Sequence, residues 1–382
     1  MRLKDFSVLN PQYKGESIDA EVSFVPMESL RNGAIDYQDI PFKEGKGKYT
    51  YFKDGDLLVA KVTPCFENGN IAIANEMKEG IGFGSSEIFV LRMDKKVLNT
   101  YMFYITQSGN FQDGACATMC GVGGLKRISP LFMRTYELDI PSISNQQRIV
   151  DYLDEKLTKI DERIGVLKQQ QDAYARLKKS VIHQAVTRGL NPNVPLKDSS
   201  IEWMGMIPEH WESLHLKHCV TINNGCDYKH LEAENGIPVI GSGGQFAYVS
   251  EAMYDGEVLL LGRKGTIDKP MYFNGPFWTV DTMFYAIAHK NVNTKYIYYY
   301  ATLFPFNKIS TATALPSMTQ TDLYQLPVML PPLSEQQAIA NYLDEKCAKI
   351  DAATENISKQ IDASKRLKRA LINEVITGQR AV

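Results

Sequence analysis

Cysteine is scarce and scattered. The six among 382 residues (Cys65, Cys116, Cys120, Cys219, Cys226, Cys347) form no C-x-x-C pair, which argues against a disulfide framework or a structural zinc site and fits a reducing cytoplasm. No uninterrupted apolar run approaches the roughly 18 residues of a membrane span. The amino-terminal MRLKDFSVLN places charges where a signal peptide needs its apolar stretch, so the expectation is a protein neither exported nor membrane-embedded. A basic surplus is also missing: 42 Lys+Arg against 44 Asp+Glu give −2, so any nucleic-acid contact has to use local patches.

Catalytic signatures are equally lacking. No G-x-x-x-x-G-K-[ST] occurs, and GVGGLK at 121–126 and GRKGT at 262–266 have the wrong spacing for a phosphate cradle. No Asn/Asp-Pro-Pro-aromatic quartet of the kind used by adenine methyltransferases is present. Asp154-Glu155-Lys156 and Asp344-Glu345-Lys346 put adjacent carboxylates about 100° apart on a helix, which cannot clamp one metal. His215, His218, Cys219, Cys226 and His230 match no zinc module. The reading is a non-catalytic chain without a metal or cofactor of its own.

What the chain does contain is itself, twice. PSISNQQRIVDYLDEKLTKID from Pro141 returns as PPLSEQQAIANYLDEKCAKID from Pro331, and the match runs without a gap to Thr187 and Thr377, with 21 of 47 positions identical at an offset of 190. Each copy reads as a helix opened by a capping-box spacing, Ser144 before Gln147 and Ser334 before Gln337. Apolar residues then recur every three or four positions. The first copy has Leu153, Leu157, Ile160, Ile164, Leu167, Tyr174, Leu177 and Val181; the second has Leu343, Cys347, Ile350, Ile357, Ile361, Leu367, Leu371 and Val375. A single narrow stripe is the seam of a coiled coil, and some 40 residues make a rod about 60 Å long. Nothing stops either rod before Gly189 and Gly378.

Charge predicts how the rods pair. Both are acidic early and basic late, so parallel packing sets like against like. Antiparallel packing brings Glu155 near Leu367 and Lys368, and Lys178 near Asp344, and places the globular domains at opposite ends. The same charges also fit a second description, in which they only solvate the outer faces.

The expected organisation is a globular domain at 1–140, a helix at 141–190, linker and second globular domain at 191–330, and a second helix at 331–382. YTYFKDGDLLVAKV (49–62) and EIFVLRM (87–93) read as strands, as do GIPVIGSGG (236–244), GEVLLLGRKG (256–265) and MFYAIA (283–288). Short aromatic helices follow at 100–107 and 294–303, so the class is α+β with mixed sheets. Loops differ strongly between the halves: CFENGN (65–70) and GACATMCGVGGLKR (114–127) against NNGCDYKH (223–230) and STATALPSMTQ (310–320). A constant scaffold with unlike loops suggests two recognition surfaces with separate targets. Loop residues carrying suitable donors are Lys61, Asn68, Lys126 and Arg127 in the first domain, and Tyr228, Lys229, Arg263, Lys264, Thr319 and Gln320 in the second. A solvated surface role stands beside the DNA role for each.

IEWMGMIPEHWE at 201–212 and LPPLSEQQ at 330–337 leading into YLDEK, in a domain–helix–domain–helix order, resemble the DNA specificity subunit of type I restriction-modification systems over the whole chain. The first copy departs from that pattern, with Ser142 and Asn145 where the second has Pro332 and Glu335, and with no lead-in before its domain. The resemblance implies two target recognition domains reading a bipartite double-stranded DNA site, with paired helices setting the unread spacer. It implies docking of modification (methyltransferase) and restriction (translocase, nuclease) subunits, with S-adenosylmethionine, ATP and Mg bound only by those partners. Candidate docking positions are the repeated Gln146, Gln147, Tyr152, Gln336, Gln337 and Tyr342; caps and core are their other reading. The remaining alternative is a coiled-coil interaction scaffold without DNA specificity.

Overall fold

Two runs of consecutive apolar residues, Leu57–Ala60 and the second half of Tyr254–Gly262, are buried on both faces, and the sheets grow outward from them. The computed structural model describes residues 1–122, 124–310 and 316–382. The loop stretches at 114–127 and 310–320 therefore include Gly123 and residues 311–315, which lie outside the described residues. The chain packs as two compact units, Met1–Lys168 with Ser358–Val382, and Gln169–Ile357. In packing terms the long helices are not units of their own, since each contributes to both.

In the first unit, among the described residues, one antiparallel sheet runs in the order Ser7–Leu9, Ile88–Met93, Leu57–Ala60, Ile71–Ile73. A second sheet orders Gln38–Pro41, Glu21–Val25, Ile81–Gly84, Thr50–Lys53, with a parallel pair at its centre. An aromatic helix, Asn99–Gln107, packs on the first sheet. Its Tyr101, Met102 and Ile105 join Leu57, Val59, Phe89 and Leu91 in one core with Val150, Leu153 and Leu157 of the first long helix and Leu371, Ile372 and Val375 of the second. The second unit has one large mixed sheet centred on Tyr254–Gly262, flanked by Met283–Ala288 and Met271–Thr279. Its aromatic helix, Thr294–Ala301, buries Tyr296, Ile297 and Tyr300 against Ile339, Leu343 and Cys347. The class is α+β with mixed sheets.

The long helices span Ile143–Arg188 and Leu333–Ile376. Their first turns start one residue before Ser144 and Ser334, so the expected capping boxes do not form. Instead the Ser142 hydroxyl accepts from the Asn145 amide at 3.3 Å, and the Pro332 carbonyl accepts from the Glu335 and Gln336 amides at 2.9 and 3.0 Å.

Pairing is antiparallel within each unit. In the first, Lys368 Nζ lies 2.9 and 2.6 Å from the Asp161 carboxylate while Arg148 reaches the Val382 carbonyl. In the second, Lys178 Nζ lies 2.7 Å from both Asp351 oxygens while Gly189 sits against Glu335. The contacts expected from charge were Glu155 with Lys368 and Lys178 with Asp344, so the register is displaced by about one heptad. Both expected acids are engaged elsewhere: Asp344 by Lys295 at 2.5 Å and Tyr299 at 2.8 Å, Glu155 by Lys159 at 2.6 Å.

The seam also departs from the expected stripe at two equivalent places. Leu177 and Leu367 are 48% and 54% exposed. The half-buried stems of Lys178 and Lys368 occupy the seam, their ammonium groups held at its edge by aspartate.

The rods end at Gly189 and Gly378, both at positive φ (71° and 73°). A Cβ at Gly189 would lie 2.8 Å from Glu335 Oε1, whereas one at Gly378 meets nothing within 4 Å. Gly378→Ala should therefore cost only the left-handed strain, about 1–2 kcal/mol, and Gly189→Ala should cost more by displacing Glu335. Urea unfolding midpoints of the two variants check the order.

Candidate nucleic-acid interface and the joints behind it

The repeated helix starts hold their own domains. Gln146 is fully buried: its Oε1 accepts from the Leu98 amide at 2.8 Å, and its Nε2 donates to the Lys96 and Pro141 carbonyls at 2.8 and 2.9 Å. Gln336 repeats this with the Asn293 amide at 2.8 Å and the Asn291 and Pro331 carbonyls at 3.1 and 2.8 Å. Each amide thus ties the entry of an aromatic helix to the entry of a long helix. Two turns on, Tyr104 donates to Asp154, and Tyr299 donates to Asp344 at 2.8 Å. Burial first, and then the neighbouring carboxylate, push both phenols well above the usual tyrosine range, so both remain donors.

The rest of YLDEK is local. Glu155 and Glu345 pair with Lys159 and Lys349, and Lys156 and Lys346 each lie 5.5 Å over the Tyr152 and Tyr342 rings.

Gln146 and Gln336 therefore leave the list of partner-docking candidates, because a fully satisfied buried amide cannot face another chain. Gln147 and Gln337 are exposed and bond Asp151 and Asn341 one turn on, with Gln337 also accepting from Asn293 Nδ2 at 2.7 Å. Tyr152 and Tyr342 are half-buried at the core margin. The lead-in motif is a clasp of the same kind. Trp211 is buried, and its indole N–H donates to Glu335 Oε1 at 3.2 Å while His210 Nε2 lies 2.9 Å from Oε2. The first copy has Asn145 at the Glu335 position and no such clasp.

Seven of the ten candidate DNA residues gather at a corner of each domain, where the buried strand ends; Asn68, Tyr228 and Lys229 do not. In the first, the Lys61 amide donates to the Glu87 carbonyl, the Ile128 amide to the Lys61 carbonyl and the Thr63 amide to the Lys126 carbonyl, at 2.9–3.0 Å. This brings Lys61, Lys126 and Arg127 together. Asn68 lies elsewhere, on a cleft of about 750 Å³ lined also by Asn32, Gln112, Lys168, Lys365 and Arg369. The sequence reading did not single out those five, since no motif marks them.

In the second domain the Arg263 amide donates to the Thr282 carbonyl, the Met318 amide to the Arg263 carbonyl and the Gly265 amide to the Pro316 carbonyl, at 2.8–3.0 Å. Arg263, Lys264, Thr319 and Gln320 thus come together, and Gln320 Nε2 reaches Asn224 Oδ1 at 3.3 Å. Tyr228 and Lys229 belong to another edge, where Tyr228 meets the half-exposed Phe246 edge to face with ring centroids 5.4 Å apart.

Two of these candidates are already committed. Arg127 spends its fork on Glu87 at 2.8 and 2.9 Å and holds that carboxyl below its usual value, so it does not offer a bidentate edge to a base. Thr319 caps the helix Gln320–Tyr324; its hydroxyl accepts from the Asp322 amide and donates to the Asp322 carboxylate. Lys126, Lys229 and Lys264 are exposed, and no ion pair engages them among the described residues. Of the histidines and cysteines of the second domain, His215 Nδ1 bonds the Gln325 carbonyl, Cys219 is buried, and His230 meets Trp278 edge to face. Among the described residues no group of three or more His, Cys, Asp or Glu could hold a metal ion, and no helix is long and apolar enough to cross a membrane.

Comparison with known proteins places this geometry in context. The family model for the type I restriction modification DNA specificity domain matches residues 208–363. The specificity subunit of the Escherichia coli type I restriction enzyme EcoAI is 28% identical over 214 residues, 54% of this chain and 35% of that protein. That of EcoEI, also from Escherichia coli, is 34% identical over 152 residues, 39% of this chain and 26% of that protein. The chain thus spans about a third or less of those two relatives. The MjaVIII specificity subunit of Methanocaldococcus jannaschii is 22% identical over 400 residues, covering 95% of this chain and 87% of the relative. Among solved structures, a chain from work on complex assembly and conformational transition of the type I R-M system superposes with a TM-score of 0.77 at 16% identity, covering 98% of this chain and 96% of its own. The HsdS subunit from Thermoanaerobacter tengcongensis gives 0.53 at 16% identity, covering 100% and 96%.

Gln336→Ala should cost about 1–3 kcal/mol, because the Asn293 amide and two carbonyls lose their buried partner. Gln337→Ala, at an exposed site, should cost less than about 0.5 kcal/mol. Urea unfolding midpoints of the two variants distinguish a joint from a docking surface.

Proposed function

We propose that the chain is a type I restriction-modification DNA specificity subunit, as the matched specificity domain at 208–363 and the similarity to specificity subunits support, that it reads a bipartite double-stranded DNA site with its two globular domains, and that it performs no chemistry itself. Modification subunits dock on it and methylate adenine where it places them, with the restriction subunits joined to the same assembly. S-adenosylmethionine, ATP and Mg belong to those partners, and the cytoplasm is where such an assembly meets DNA. The exposed outer faces of the long helices, with Gln147 and Gln337 near their starts, supply the docking surface.

One observation carries the reading. The two domains share the joint to their helix, the buried strand and the backbone lock at its end, yet differ in the loops mounted on that lock. Shared scaffolding with unlike loops is what reading two unlike half-sites requires, because base edges are distinguished by donor placement while the backbone they hang from is constant. The near-neutral net charge of −2 fits contact by local patches rather than by a general basic surface.

In this reading the antiparallel helices act as a ruler for the unread spacer. Removing one heptad from each long helix shortens the rod by about 10 Å, roughly three base pairs. The methylated motif mapped in cells should keep both half-sites and lose base pairs only between them. An unchanged spacer with full activity rejects the ruler. Methylation that is equal and unselective with and without this chain rejects the specificity role itself.

A further inference from the structure

The corners at Lys61 and Arg263 are the same device built twice. Their three lock bonds correspond one to one: Lys61 amide to Glu87 carbonyl and Arg263 amide to Thr282 carbonyl, Ile128 to Lys61 and Met318 to Arg263, Thr63 to Lys126 and Gly265 to Pro316. Each cation lies over an aromatic ring of the neighbouring strand, Lys61 Nζ 5.5 Å from the Phe89 centroid and Arg263 Cζ 5.8 Å from the Phe284 centroid. Both side chains are half-buried, so their stems are held while their charged ends stay near the surface. Just beyond each lock, Ser129 and Thr319 cap the next short helix. No sequence match connects the two cations, since one sits in VAKVTP and the other in LGRKGT.

The surroundings are not conserved in the same way. The residue after Lys61 is the buried Val62, whereas the residue after Arg263 is the exposed Lys264. The lock partner on the other strand is Lys126 in one corner and Pro316 in the other.

A contact that two domains share while reading different bases cannot be specific to either sequence. What both half-sites have in common is the phosphate backbone. We propose that Lys61 and Arg263 are equivalent phosphate anchors, one in each recognition domain, which set each domain's register on the duplex irrespective of sequence. The residues that differ around them, Lys126 in one corner and Lys264 and Gln320 in the other, are left to read bases. The assignment rests on the DNA-reading function proposed above. The ring beneath each cation and the Asp281 carbonyl, 3.2 Å from Arg263 Nη1, fix the group before DNA arrives, so little side-chain entropy is lost on binding. Near Lys61 the Glu87 carboxylate is bridged by Arg127 and also feels the Lys61 charge, so this corner carries two cations to one anion and keeps a net positive charge.

The test uses the full-length chain with a 30-base-pair duplex of mixed sequence, its affinity followed by fluorescence anisotropy from low to moderate KCl. Lys61→Ala and Arg263→Ala should each weaken binding several-fold at low salt and lower the slope of log affinity against log salt by about 0.9. Lys61→Arg and Arg263→Lys should restore the slope, which a merely structural role would not predict. In cells, the alanine variants should methylate the same motif less completely. Unchanged affinity and slope in both alanine variants, beside a wild-type chain that binds, overturns the anchors and leaves the DNA-reading function standing. A changed methylated motif also overturns them, because it makes them base readers. A wild-type chain that binds no DNA, alone or with its modification subunits, overturns the DNA-reading function first.

Discussion

The whole architecture depends on a buried carboxamide. Gln146 and Gln336, both buried, each satisfy one amide and two carbonyls where an aromatic helix, a strand exit and a long helix converge. Without them the entries of two helices would carry buried, unpaired backbone groups. The tyrosine–aspartate bond two turns later adds a second tie between the aromatic helix and the long helix. Together they tie each domain to the start of its own helix at two depths.

A rigid joint behind the loops has an evolutionary and a physical use. The lock at the end of each buried strand is made of main-chain bonds, which any side chain can supply, so the residues it displays can change without loosening it. The half-buried cations at Lys61 and Arg263 sit where the two corners coincide, each within the same three backbone bonds and over a ring of the neighbouring strand, while the side chains around them differ. If Lys61 and Arg263 act as the proposed anchors, affinity comes from constant elements and discrimination from variable ones, a division that suits a net charge of −2.

Much of this was legible in the sequence. The offset repeat, the two rods, the strands around Leu57–Ala60 and Tyr254–Gly262, and the antiparallel sense of the helices follow from spacing and charge, which act over many residues at once. What was not legible turns on single competitions. Charge along the rods gave the direction but not the register, because Asp344 and Glu155 are claimed by Lys295 and Lys159 before a second helix can reach them. The apolar stripe passed through Leu177 and Leu367 on paper; in the fold, the lysines beside them bury their stems and leave those leucines in solvent. Repetition of Gln146 and Gln336 pointed to importance and not to its direction, and the direction proved to be inward. Arg127 and Thr319 look like readers in a loop sequence, but Glu87 and Asp322, distant or near in the chain, had already taken their donors. The duplicated corner was invisible because its signature is a pattern of main-chain bonds.

The central claim is that two dissimilar domains, each bolted to its own helix, engage two separate patches of one duplex. Hydroxyl-radical footprinting of the full-length chain with its modification subunits, on a duplex carrying the motif methylated in cells, tests it directly. The account predicts two protected stretches of unlike sequence separated by backbone that remains cleavable on at least one face. A single continuous protected stretch confined to one half of the motif would contradict it.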